Sequence, residues 1–217
     1  MLRDLLRNII NEQWPALKRR FPFSSEVGRP SSSISYLDGG EVALEVLQAI
    51  NYRTALKSAT IVSYNMQDYA FWGQGNLSHL LLRQLTLGAV IRLMTTPPPG
   101  KPTKAGFRDK YLLLSNLQKN GVSVYLNEKL HAKAYLFQDT KDATTAIVGS
   151  ANLTGPGFGL QHAPSDSLVE MAVLCEGTGV FEAANEFIDK KVLNDNRTED
   201  FATWFSRNST EIGKAGL

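Results

Sequence analysis

Apolar positions along the chain follow two periods in turn, which predicts helices and strands in alternation. A period near 3.6 residues predicts helices over residues 41–56, 77–87, 109–120 and 179–193. Runs rich in β-branched residues predict strands over residues 59–64, 89–94 and 122–126, with another strand around Glu170. Such an alternation is typical of a layered α/β domain, and we expect that fold class here.

The two ends of the chain differ from this alternating middle. Residues 2–20 predict an amphipathic helix, and residues 22–40 are rich in serine, proline and glycine, which favours a loop or linker. A last short helix is expected over residues 198–207, followed by a frayed tail. The predicted parts are therefore an N-terminal helix and linker (1–38), a central domain (39–196) and a C-terminal helix with its tail (197–217). The first helix either packs on the central domain or docks a partner chain.

Length and composition fit one domain with its own core. The chain has 217 residues, of which 43% are apolar and 20% charged. Its formal net charge is only +2, so any affinity for nucleic acid must come from a local basic surface. The single cysteine, Cys175, excludes an internal disulfide. The N-terminus lacks the apolar core of a signal peptide and no segment reaches the length of a membrane span, so we expect a cytoplasmic protein without a membrane partner.

Residues 130–152 predict two strands joined by a polar turn at residues 138–142, and these strands carry the candidate chemistry. Side chains on a strand alternate between its faces, so His131 and Lys133 are expected to share a face with Tyr135. If the second strand lies beside the first, its own polar side chains meet this pair.

The second strand ends in a short polar segment. Ser150 and Asn152 share a face by the same alternation, and Gly149 permits another group to approach the backbone closely. An imidazole, an ammonium, a hydroxyl and a carboxamide then converge on one spot. This set suits a phosphodiester, which needs a nucleophile and donors for its non-bridging oxygens.

The order of these residues resembles the signature of the phospholipase D superfamily, in particular its short members with one motif per chain. The resemblance rests on His131-x-Lys133, Gly149-Ser150-x-Asn152 and the downstream Glu170. One position departs from the family pattern. Gln138 stands where the family has an aspartate, and Asp139 follows one residue later. The departure concerns local strand geometry more than the reacting groups.

The resemblance implies a fold and a mechanism. The fold is an α/β domain with a mixed β-sheet sandwiched between helices, preceded here by the N-terminal helical arm. In the implied mechanism His131 attacks phosphorus and forms a phosphohistidine, while Glu170 orients the imidazole. Lys133, Ser150 and Asn152 bind the equatorial oxygens. No cofactor is implied, and the Lys133 ammonium beside the only candidate ligand disfavours a divalent metal.

A general acid is also needed for the leaving oxygen, and the family takes it from a second motif. The chain has only two other histidines, His79 and His162, and neither is followed by the motif. The resemblance therefore implies a homodimer in which two His131 side chains face each other in one shared site.

Substrate choice depends on the residues around the motif. The loop at residues 95–109 follows a predicted strand's carboxyl end and carries Lys101, Lys104 and Arg108, which either grip a phosphate backbone or are ordinary exposed residues. The aromatic loop at residues 65–75 (Tyr69, Phe71 and Trp72) either stacks on bases or packs on a neighbouring element, and we favour packing.

Three functions remain open at this point. The first is a metal-independent DNA endonuclease, such as a nuclease subunit of a bacterial defence or restriction system, with a helicase or DNA-recognition partner docked through the N-terminal helix. The second is a lipid phosphodiesterase. The third is a non-catalytic subunit of a nucleic-acid-processing complex.

Overall fold

The computed structural model describes residues 34–51, 55–71, 76–158 and 170–217. The predicted helix over residues 2–20 and its role as a docking arm lie outside the described residues, as do Trp72 and His162.

Eight strands of the described part form one mixed sheet in the order β1-β7-β6-β5-β2-β3-β4-β8. Their bounds are β1 Ile34–Asp38, β2 Leu56–Ser63, β3 Val90–Thr95, β4 Ser123–Asn127, β5 Lys133–Asp139, β6 Thr144–Gly149, β7 Met171–Glu176 and β8 Thr198–Asp200. The pairs β2–β3 and β3–β4 are parallel, and the other neighbouring pairs are antiparallel.

Helices cover both faces of this sheet. They are α1 Gly39–Asn51, α2 Leu77–Thr86, α3 Ala105–Lys119, α4 Thr178–Phe187, which continues as a π-helical segment Ile188–Leu193, and α5 Phe201–Lys214. Apolar residues of α1, α2, α3 and α5 share one buried cluster with the sheet. A second cluster joins apolar strand residues to Phe181 of α4 and to Ile188 and Val192 of the π-helical segment. The predicted fold, a mixed sheet between helices, is confirmed.

The prediction of a loop over residues 22–40 was wrong at its end, because β1 lies there. Among the described strands, β1 is an edge strand that pairs with β7, and Ile34 and Tyr36 are 65% and 76% exposed. The strand carries little of the alternation by which strands are recognised, because Leu37 is its only buried apolar residue. Asp38 then ends β1 and caps α1: its carboxylate accepts from the Glu41 amide at 2.8 Å, and the Glu41 carboxylate accepts from the Asp38 amide at 3.0 Å.

The predicted C-terminal helix is present, but its bounds were wrong, since residues 198–200 form β8 and the helix extends from Phe201 to Lys214. The Asp200 carboxylate caps this helix by accepting from the Thr203 amide at 2.9 Å. Ile212, in the part expected to fray, is only 1% exposed and belongs to the main core cluster. Tertiary packing of this late apolar residue therefore holds the helix beyond residue 207.

Two other helix boundaries moved by a few residues. The first described helix ends at residue 51 instead of 56, because Leu56 begins β2 and is buried. The helix predicted from Asp109 begins at Ala105, one turn earlier. None of the helices in the described ranges is long and apolar enough to cross a bilayer.

The strand directions bring the candidate residues to one edge of the sheet. Ser63, at the end of β2, pairs with Lys133, at the start of the antiparallel β5. Gly149, at the end of β6, pairs with Ala172 near the start of β7. The ends of β2, β3 and β6 and the starts of β5 and β7 therefore lie at the same edge.

Candidate active site

His131 lies just before β5 rather than on it, because the strand begins at Lys133. The prediction that both residues stand on one strand was therefore wrong, yet their side chains meet. The Lys133 Nζ is 3.3 Å from the His131 Nδ1 and donates to the His131 carbonyl oxygen at 3.0 Å. The imidazole is exposed, whereas Lys133 is 7% exposed.

Burial makes Lys133 easier to deprotonate than an ordinary lysine. Desolvation lowers the pKa of its ammonium, and the negative charge of Glu170 partly opposes this shift. An ammonium in this environment has few water molecules to compete with an anionic ligand, so its hydrogen bonds to such a ligand are strong.

Ser150 and Glu170 form a pair at the adjoining strand ends. The Ser150 hydroxyl donates to the Glu170 carboxylate and accepts from the Met171 amide at 3.1 Å. Glu170 is predicted to accept from the imidazole of His131, but its described hydrogen bond comes from Ser150. Its carboxylate acts on the site through its charge on Lys133.

Asn152 is held by the end of β2, which sequence reasoning did not foresee. Its Oδ1 accepts from the Asn65 backbone amide at 3.2 Å, so Nδ2 is the group that can donate to a ligand. The buried Ser63 hydroxyl donates to the Asn65 carbonyl and accepts from the Leu153 amide at 2.9 Å. These bonds fix the loop that carries Asn152.

Tyr135 shares the strand face of Lys133, as predicted, but points into the core. It is 1% exposed, and its hydroxyl donates to the Ala151 carbonyl oxygen at 2.7 Å. Burial raises the pKa of this phenol. The side chain therefore stabilises the segment between β6 and Asn152 and does not contact solvent.

Gly149 makes its close approach to β7. A Cβ at this position would lie 2.5 Å from both the Ala172 Cβ and the Met171 carbonyl oxygen. The expected close approach of another group to Gly149 is thus made by the neighbouring strand.

Gly149→Ala is expected to destabilise the fold by about 1–3 kcal/mol, because backbone and a packed Cβ must move to admit one methyl group. Urea unfolding measures the loss. Gly179→Ala is the matched control: Gly179 lies in α4 with open space around its Cα, so alanine should be neutral or stabilising. Equal stabilities of Gly149→Ala and the wild type would contradict the close packing of β6 on β7.

Two further residues at this edge were missed from the sequence. The Tyr64 ring, just after β2, lies 5.3 Å from the His131 ring and 5.6 Å from the Lys133 Nζ. Lys110 of α3 is 4% exposed, and its Nζ donates to the Thr96 hydroxyl at 2.9 Å. Desolvation lowers the pKa of Lys110 to about 7. Two sequence signals could have identified them. Lys110 lies next to Tyr111 on an apolar side of the helix, and Tyr64 follows the carboxyl end of a strand.

The basic residues predicted to grip a backbone lie on either side of the start of α3. Lys101 is in the loop that leaves β3 at the site edge, Lys104 precedes the first residue of α3, and Arg108 is within the helix. All three are exposed. The predicted loop over residues 95–109 is therefore shorter than expected.

The departure at Gln138 leaves the hairpin regular. Gln138 pairs with Thr144 in the β5–β6 ladder. The Asp139 carboxylate closes the turn by accepting from the backbone amides of Lys141 and Ala143 at 2.8 and 2.9 Å. The residue one position later thus performs a structural role here.

The aromatic loop divides between packing and exposure. Phe71 is 1% exposed and stacks on Phe158 with ring centroids 5.4 Å apart, as the packing interpretation predicts. Tyr69 is instead 49% exposed. No group of three or more His, Cys, Asp or Glu in the described ranges is arranged to hold a metal ion.

Comparison with known proteins places this arrangement among known folds. A family model described as "Cardiolipin synthase, PLD-like domain" matches residues 52–191. A search of curated protein sequences found no match.

The solved structures similar to the chain include two enzymes. Phosphatidylserine synthase of Haemophilus influenzae Rd KW20 is 14% identical with a TM-score of 0.59, and the match covers 76% of this chain and 38% of that one. Polyphosphate kinase from Porphyromonas gingivalis is 12% identical with a TM-score of 0.52, over 80% of this chain and 28% of the other. The chain spans well under half the length of either protein, and the likeness concerns the fold.

Proposed function

We propose, because the chain belongs to the phospholipase D superfamily, that it is a metal-independent phosphodiesterase that cleaves nucleic acid, in particular DNA, through a phosphohistidine on His131. The proposal rests on one observation: the motif's imidazole and ammonium are 3.3 Å apart at the sheet edge that also carries Ser150 and Asn152. A nucleophile and donors for phosphoryl oxygens are thus assembled at one edge of the sheet.

The reaction proceeds in two displacements at phosphorus. The His131 Nε2 attacks, a P–N bond forms, and the P–O bond to the leaving oxygen breaks as that oxygen takes a proton from a general acid. Water then attacks the phosphohistidine, loses its proton to the same group and breaks the P–N bond. His131 is thereby regenerated.

Lys133 links substrate binding to the nucleophilic form of His131. In the free site its ammonium is placed to donate to Nδ1, which would leave the proton on Nε2. A phosphodiester's anionic oxygens compete for the same N–H groups and form stronger, charge-assisted bonds. Binding then releases Nδ1 to take the imidazole proton, which frees the lone pair of Nε2.

Ser150, Asn152 and Glu170 complete the site. The Asn152 Nδ2 donates to an equatorial oxygen, since its Oδ1 is occupied by the Asn65 amide. Ser150 donates its hydroxyl hydrogen to the Glu170 carboxylate and so positions that carboxylate. The charge of Glu170 favours the ammonium form of Lys133. Glu170 is also the proposed acceptor of the hydrogen bond from the protonated Nδ1 of His131.

Among the described residues, His131 is the only histidine at this site, and the proposed reaction needs two imidazoles. His79 lies on α2, and its exposed side chain is on a helix with no motif partner. A second copy of the chain would bring its own His131 as the general acid. The active form proposed is therefore a homodimer with one shared site.

Mixed dimers distinguish one shared site from two independent ones. Random exchange of equal amounts of wild type and His131→Ala leaves about a quarter of the dimers fully wild type and about half mixed. A shared site predicts about a quarter of the activity of the same total amount of wild-type dimer, and independent sites predict about half. Mass photometry of tagged chains confirms exchange, and an active monomer would contradict the shared site.

Nucleic acid is the favoured substrate because three exposed cations lie on the chain segment that follows β3. Lys101 and Lys104 in the connection from β3 to α3, and Arg108 on α3, are exposed cations that can contact successive phosphates. This local set matters because the whole chain carries only +2. A role as nuclease subunit of a defence or restriction system, with a recognition partner on the N-terminal helix, belongs to the same proposal.

A lipid phosphodiesterase is the second candidate. The description of the matching family model names a lipid enzyme. Exposed apolar side chains also lie next to Ser150 and on the neighbouring strand. Met171, whose amide bonds Ser150, is 66% exposed, and Tyr36 on the neighbouring strand is 76% exposed. Such side chains can contact acyl chains.

One assay separates these functions. Wild type and His131→Ala are incubated in EDTA with single-stranded DNA, duplex DNA, RNA and phosphatidylglycerol vesicles. We expect cleavage of DNA by wild type alone, falling steeply as salt rises because binding releases counterions. Turnover of lipid without any nucleic acid would favour the second candidate, and an absolute requirement for magnesium would contradict the mechanism.

A further inference from the structure

Hydrogen bonds to its backbone carbonyl oxygen hold Tyr64 in place. Its carbonyl oxygen accepts from the Thr96 hydroxyl at 2.9 Å, from the Thr95 hydroxyl at 3.3 Å and from the Lys110 Nζ at 3.5 Å. These donors come from the end of β3, the residue after it, and α3. An aromatic residue held on its backbone side loses little further freedom when its ring binds a ligand.

The Tyr64 ring lies against the reacting groups and is still open to solvent. Its centroid is 5.3 Å from that of His131, with the two planes tilted by 41°, and 5.6 Å from the Lys133 Nζ. Tyr64 nevertheless stays 43% exposed. The contact with His131 thus leaves part of the ring available beside the position of the scissile phosphate.

We propose that Tyr64 is a base-stacking subsite, which binds an unpaired nucleobase of the nucleoside next to the scissile phosphate. A phosphate at His131 and Lys133 places that nucleoside beside the ring, and every nucleobase offers a flat face to it. The inference rests on the proposed nuclease function and refines it: the substrate has an unstacked base at the cleavage point, as single strands do. A glycerophospholipid has no such aromatic group.

Two bisphosphates that contain no diester bond, and so cannot be cleaved in this reaction, test the subsite directly. Thymidine 3′,5′-bisphosphate carries a base, and 2-deoxyribose 3′,5′-bisphosphate lacks one. We expect wild type to bind the thymidine compound about tenfold more tightly in calorimetry, equivalent to about 1.4 kcal/mol and within the range for one stacked base. Tyr64→Leu, which keeps bulk without a ring, should abolish this preference, whereas Tyr64→Phe should retain it.

Tyr69→Leu is the matched control. Tyr69 follows β2 on the same connection and is 49% exposed, and in the described part of the chain its ring has no contact with His131 or Lys133. Its replacement should leave the preference unchanged.

Each outcome decides the inference. No base preference in wild type, or a preference that survives in Tyr64→Leu, would overturn the subsite; the second result would show that Tyr64 only positions its neighbours. Wild type that prefers the thymidine compound through Tyr64 but cleaves no DNA in EDTA would refute the proposed function and leave the subsite standing. DNA cleavage without a base preference would refute the subsite and leave the proposed function standing.

Discussion

His131→Ala is expected to reduce turnover by about 10⁴-fold or more, because the variant loses the atom that forms the covalent bond to phosphorus. The exposed imidazole contributes little to the core, so the free energy of unfolding should change by about 0.5 kcal/mol or less. Binding of DNA should persist through the remaining donors. Steady-state cleavage in EDTA, urea unfolding and fluorescence anisotropy measure the three quantities.

His79→Ala is the control for this prediction. It removes an exposed imidazole from α2, on a helix that carries none of the motif residues, and should leave turnover within about twofold of wild type. If His131→Ala kept near-wild-type activity, or if His79→Ala were the inactive variant, His131 would not be the nucleophile.

Lys133→Met is expected to lower kcat by about 10²–10³-fold, the usual loss for one donor to the transition state. Methionine fills a similar volume in this 7% exposed position, and removing a buried charge costs little stability. The variant should therefore be folded and slow. Lys129→Met, which changes an exposed lysine shortly before β5, should behave as wild type.

The pH dependence gives Lys133 a second signature. The ammonium is the donating form, and burial lowers its pKa from 10.5. Activity should therefore fall as pH rises through a value below that of a free lysine, and this alkaline limb should be absent from the residual activity of Lys133→Met. The same limb in both proteins would assign it to another group.

The sequence predicted the centre of the fold better than its margins. The β5–β6 hairpin was found from its alternation and turn residues, and Asp139 closes the turn within one residue of the expected place. β1 was missed because this short edge strand buries a single apolar residue, Leu37, and so shows little alternation. The length of α5 was missed because packing of Ile212 in the core stabilises the end of the helix. Local helix propensity contains no information on such tertiary contacts.

The candidate site shows the same division. Spacing identified the motif residues because they lie within short segments of chain. The contacts of Tyr64 with His131, of Asn65 with Asn152 and of Lys110 with the Tyr64 carbonyl join residues more than forty positions apart in sequence. Only the strand order brings them together, so no local pattern predicts them.

The stereochemical course at phosphorus tests the covalent mechanism most directly. Each in-line displacement inverts phosphorus, so the two displacements through His131 must give net retention. The measurement is cleavage of a DNA phosphorothioate of one configuration in ¹⁸O-labelled water, in the presence of EDTA, followed by analysis of the product's chirality. Retention is the predicted result, and inversion would show direct attack by water and contradict the phosphohistidine.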